Sequence, residues 1–74
     1  MAKEKLQAAL GIAIRRRREI SEVSQDTFAD SIGMHRAYYS AIERGEKNLT
    51  LRVLLRVADG LEARISDLMR EAGY

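Results

Sequence analysis

The chain is 74 residues long, with one histidine, no cysteine, no proline and a formal net charge of +2. A chain of this length buries only about 60% of its unfolded surface, so residues 1–74 are expected to form a single domain that gains stability from a second copy. The composition excludes disulfides and thiolate metal sites, offers no apolar run near the ~18 residues of a membrane span, and leaves His35 alone as a metal ligand with no acid, base and nucleophile set for an enzyme.

Without proline and with Ala, Leu, Arg, Glu and Ile dominant, the sequence predicts helices throughout. From Leu6, apolar Leu10 and Ile14 recur every fourth residue beside Ala9 and Ala13, which predicts an amphipathic first helix to about Ile20. Arg18 falls on the apolar face of that helix, four residues after Ile14, where a charge needs a partner. Ser24 precedes Gln25, Asp26 and Thr27 as an N-cap with an acid in the first turn, and Phe28, Ala29 and Ile32 give a short second helix one apolar face. It stops at Gly33, where a sharp turn demands a positive φ. Met34 and His35 complete the turn. A third helix runs from Arg36 to Arg44, with Tyr39 and Ile42 inward and Gly45 as its C-cap signal. Glu43 borders that inward face and is the expected ionic partner of Arg18, joining the first and third helices. Thr50 caps a fourth helix with an apolar stripe of Leu51, Leu54, Leu55 and Ala58, ending near Gly60. Ile65, Leu68 and Met69 predict a short fifth helix whose apolar residues exceed the room in a monomer core. Leu68 and Met69, with Val53 and Val57 of the fourth helix, are therefore expected at a dimer interface.

Charge is unevenly spread along the chain. Arg15 to Arg18 form a run of four, which apart from Arg18 reads as a solvated helix face. Between Arg36 and Arg56 five basic residues stand against two acids, whereas Asp59 to Tyr74 holds four acids against two bases. A protein with one side turned to a polyanion requires such polarity.

The stretch Gln25 to Arg44 resembles the helix-turn-helix of the phage Cro and repressor family of DNA-binding proteins. The likeness rests on Leu10-Gly11, Ile14, Ser24-Gln25, Ala29, Ile32-Gly33 and Ile42-Glu43-Arg44-Gly45, then on Leu61 and Leu68 at the family's spacings. It implies an all-α, five-helix domain of the lambda-repressor type, in which helices two and three form the helix-turn-helix and helices four and five complete the core and the dimer interface. Tyr39 stands where the family places a β-branched aliphatic residue, and its hydroxyl is expected to reach a partner or the rim. The run from His35 through Arg36, Tyr38, Ser40 and Ile42 to Arg44, followed by Asn48-Leu49-Thr50, is similar to the controller proteins of restriction-modification operons.

In that arrangement the third helix enters the major groove while the second crosses the phosphate backbone. Base contacts are then expected from His35, Arg36, Ala37, Tyr38 and Ser40, with Ala41 beside them. Arg36 is the main reader, since a guanidinium fork bonds guanine O6 and N7 together; Ala37 reaches only a thymine methyl. The resemblance further implies Tyr38 near the compressed centre of the site and polar contacts from Ser40 and Asn48. Phosphate contacts are expected from Gln25, Arg44, Lys47, Asn48 and Arg52. The function so implied is sequence-specific transcriptional regulation by a homodimer on a near-palindromic double-stranded DNA operator, with RNA polymerase occluded or contacted. A phage-type repressor, an antitoxin regulator and a helical protein-interaction module without DNA binding are the alternatives. The protein is expected to be soluble and cytoplasmic in a bacterium, with no cofactor and no membrane partner.

Overall fold

A computed structural model describes residues 3–74. Among them lie five helices and no strand: α1 (Lys3–Ile20), α2 (Gln25–Ser31), α3 (Arg36–Glu43), α4 (Leu51–Gly60) and α5 (Ile65–Glu71). The α1 helix starts about a turn before Leu6, because Lys and Glu are good helix formers and need no buried face to extend it. The caps follow from side-chain chemistry. Ser24 Oγ accepts the Thr27 N–H at 3.1 Å, Thr50 Oγ1 accepts the Val53 N–H at 3.2 Å, and the Asp67 carboxylate accepts the Arg64 N–H at 3.0 Å.

The turn between α2 and α3 is tight because Gly33 takes a φ of +66°, which lets the Met34 N–H return to the Ala29 carbonyl at 2.9 Å. The ends of α1 and α4 close the same way on non-glycine residues, with Glu22 at φ 58° and Glu62 at φ 56°. A second special position is Gly11. A Cβ there would lie 2.6 Å from the Glu43 carbonyl oxygen and 2.7 Å from that of Ile42, so α1 backs directly onto the C-terminal end of α3. No helix of the described residues is long and apolar enough to cross a membrane.

All five helices feed one core. Leu10 and Ile14, Phe28 and Ala29, Tyr39 and Ile42, Leu54, Val57 and Ala58, and Leu68 are buried together, and the Phe28 and Tyr39 rings pack tilted with centroids 5.1 Å apart. This corrects the dimer-interface expectation for Val57 and Leu68. Both are 0% exposed within the single chain, so neither has apolar surface left to remove from water against a partner. Val53 and Met69 are half-buried and lean on the same core. The large apolar residues that α4 leaves in solvent are Leu51 and Leu55, 77% and 51% exposed.

Candidate nucleic-acid interface

The placement of α3 is fixed by a buried polar cluster drawn from three helices. Arg18 of α1 donates from Nε to Glu43 Oε2 at 2.6 Å and from Nη2 to Oε1 at 3.0 Å, while its Nη1 donates to the Val23 carbonyl at 2.7 Å. Gln25 of α2 adds a fourth bond, from Nε2 to Glu43 Oε1 at 2.8 Å. Burial pushes the Glu43 carboxyl up, but the donors of Arg18 and Gln25 outweigh it and hold the group below the usual carboxylate range. Arg18 is in turn held above its ordinary value by the bond to Glu43, so the pair stays ionised.

Gln25, expected at a phosphate, is half-buried and donates its side-chain amide to Glu43. Tyr39 was expected to place its hydroxyl on a partner or at the rim. The residue is wholly buried, and its hydroxyl lies against the Glu43 and Arg18 side chains without closing a hydrogen bond of normal geometry. Burial keeps that hydroxyl far above its ordinary pKa and therefore neutral.

Turned to solvent on α3 are Arg36, Ala37 and Arg44, with Ser40 half-buried between them. Their spacing of three and four residues puts Arg36, Ala37, Ser40 and Arg44 on one face. Ala41, set beside them by the sequence reading, is 6% exposed and belongs to the core instead. His35 lies exposed at the N-terminus of α3 and has a role that its sequence position did not announce: Nδ1 accepts the Ala37 N–H at 3.3 Å and caps the helix. Tyr38 is half-buried, with the Lys47 ammonium 5.4 Å from its ring centroid, a distance suited to a cation–π contact. Asn48 is exposed, and Arg52 borders an open groove with Ser31, Ile32, Leu55, Arg56 and Asp59.

The cations of this face are matched by acids within the chain. Arg36 donates from Nε to Asp30 Oδ1 at 3.3 Å and from Nη2 to Oδ2 at 2.7 Å, and Nη1 approaches Asp26 at 3.5 Å. The bond to Arg36 holds the Asp30 carboxyl below its usual value. Arg44 bonds both oxygens of Glu46, at 2.9 and 3.1 Å, and the Ser40 hydroxyl at 2.6 Å. Sequence reasoning missed Asp30 and Glu46 because the first pair spans a turn and the second lies beyond the helix end, where the three- and four-residue rules of a single helix do not apply. The result is a solvent-facing row of polar and cationic side chains along one helix. Such a surface suits a groove lined with acceptors and phosphates, and among the described residues no group of His, Asp and Glu is placed to hold a metal ion.

Comparison with known proteins matches residues 14–68 to a family described as helix-turn-helix. The chain is 38% identical over 55 residues to the control protein C.MunI of a Mycoplasma species, covering 74% of each sequence. Its fold is similar to that of the clp gene regulator ClgR from C. glutamicum, with a TM-score of 0.89 and 32% identity over 92% of this chain and 87% of that one. It is also similar to the restriction-modification controller protein C.Esp1396I, solved as a tetramer in complex with its natural 35 base-pair operator, with a TM-score of 0.80 and 27% identity over 93% and 96% of the two chains.

Proposed function

This chain belongs to the helix-turn-helix family of DNA-binding transcription regulators, and from that membership we propose that it acts as a homodimeric controller of a restriction-modification operon, reading a near-palindromic operator with α3. The observation that carries the reading is the solvent-facing row of Arg36, Ala37, Ser40 and Arg44 on a helix held in place by the Arg18–Glu43–Gln25 cluster. The functional relatives C.MunI and C.Esp1396I are named as a control protein and a controller protein, which supports the biological role. Arg36 reads a guanine through its guanidinium fork, with His35, Ala37, Tyr38 and Ser40 lining the same edge. Arg44, Lys47 and Asn48 meet the phosphates beyond the recognition helix.

The dimer forms through the Leu51 and Leu55 face of α4. Arg52, Arg56 and Asp59 flank these leucines, and an antiparallel crossing centred between Leu55 and Arg56 sets Arg52 of each copy opposite Asp59 of the other. That patch is self-complementary, as an isologous two-fold contact requires. Two recognition helices then face successive major grooves about 34 Å apart, and RNA polymerase is either occluded or contacted by the bound dimer.

Selection of bound DNA from a random pool tests this reading. The expected product is a palindromic site with a symmetric guanine pair whose preference disappears in Arg36→Ala. Absence of any salt-sensitive affinity for double-stranded DNA at micromolar protein overturns it. The fit to ClgR favours a second reading, in which the regulated genes lie outside a restriction-modification system; the genomic position of the selected site separates the two.

A further inference from the structure

We propose that Asp30 is a positioning residue for Arg36: it grips one edge of the guanidinium and leaves the other edge to the base. This rests on the assignment of Arg36 as the guanine reader. Arg36 Nε and Nη2 donate to the two oxygens of Asp30 at 3.3 and 2.7 Å, a side-on bidentate pair that spans the turn between α2 and α3. Both bonds lie in the guanidinium plane, so together they set its orientation. The outer edge, made of Nη1 and the second hydrogen of Nη2, carries only a 3.5 Å approach from Asp26. Guanine presents O6 and N7 as adjacent acceptors, and that outer edge supplies two donors in matching geometry.

In the free protein the pair is open to water, with side chains 58% and 56% exposed, so it does little for folding. A base edge arriving in the groove displaces that water. The carboxylate then restrains the fork in the reading direction and keeps the arginine's charge partnered while the side chain is desolvated. The competing role for Asp30 is simple repulsion of phosphates, which acts on every sequence alike.

Binding titrations of the full chain separate these roles. The two duplexes are the selected operator and the same operator with the guanine pair that Arg36→Ala ceases to prefer replaced by adenine–thymine. The wild-type chain is expected to favour guanine by about 10- to 100-fold, and Asp30→Asn to lower that ratio by about 5-fold or more. Asp26→Asn removes the same charge from the same helix without breaking the bidentate grip, so it is expected to raise affinity for both duplexes and leave their ratio intact. Equal behaviour of the two variants, with the guanine ratio unchanged, overturns the proposal. If Arg36→Ala itself relaxes no position of the selected site, the assignment of Arg36 fails and the role of Asp30 falls with it, an outcome distinct from the first. Asp30 is exposed and outside the core, and an unchanged helical circular dichroism spectrum checks that the variants fold.

Discussion

Glu43 accepts three side-chain hydrogen bonds in a site where its side chain is 2% exposed and that of Arg18 is 9% exposed. Glu43→Ala strands the Arg18 guanidinium in that site and is expected to cost about 3–5 kcal/mol in a urea titration; an unchanged midpoint contradicts the account. The pH dependence has a definite sign. A carboxylate held below its ordinary value contributes stability that is fully present above about pH 4.5 and is lost as pH falls through the depressed value. The urea midpoint is therefore expected to stay level from neutrality to near pH 5 and then fall, and Glu43→Gln to make that fall shallower. Asp30, Glu46, Asp67 and Glu71 are also held low by their partners, so a residual decline persists in the variant. The Arg18–Glu43 pair was legible in the sequence, because a helical period puts a charge among apolar residues and leaves it in need of a counter-charge. Gln25 was not, since its contact depends on the angle at which α2 crosses α3, which spacing along the chain does not encode.

The five helices are held by close approach as much as by apolar burial. At Gly11 the α1 backbone meets the carbonyls of Ile42 and Glu43 with no space for a methyl group, and Gly11→Ala is expected to lose about 1–3 kcal/mol or more through forced separation of α1 from α3. The ends of α1 and α4 point the other way. Glu22 and Glu62 occupy the left-handed region that closes each helix, where a side chain is strained. Glu22→Gly and Glu62→Gly are each expected to raise stability by about 0.5–1 kcal/mol, read as a higher thermal midpoint. Helix number, order and capping at Ser24 and Thr50 were legible from periodicity and cap chemistry. Gly60 was read as a terminator, but a Cβ there would meet Ile32 Cγ2 at 2.4 Å and the Phe28 ring at 3.0 Å, so that glycine serves close packing while Glu62 makes the turn. Sequence marks a glycine without distinguishing those two needs. The α1 and α5 helices are joined outside the core by Arg17, whose guanidinium bonds both oxygens of Glu71.

At the scale of the molecule, the size argument for a second copy stands on surface that α4 leaves uncovered. Leu55→Glu is expected to keep the helical fold, because Leu55 is 51% exposed, to sediment as a monomer, and to lose about 100-fold in operator affinity as the second half-site ceases to assist the first. With about two phosphates neutralised per subunit, by Arg44 and Lys47, the logarithm of the binding constant is expected to fall against that of salt concentration with a slope near −4 for the proposed dimer. Titrations at four salt concentrations measure that slope, and a value near zero rules out the proposed footprint. The surplus of apolar residues in the last third of the sequence was legible, but its allocation was not. Leu54, Val57 and Ala58 turn inward and Leu51 and Leu55 outward, a rotation of α4 that depends on where α5 lands. One consequence follows from Glu43 binding a residue on each of two neighbouring helices. Since α3 cannot roll without breaking those bonds, its outward positions form an interchangeable cassette: exchanging them for the outward set of another regulator should retarget the protein to a different operator with its thermal midpoint unchanged.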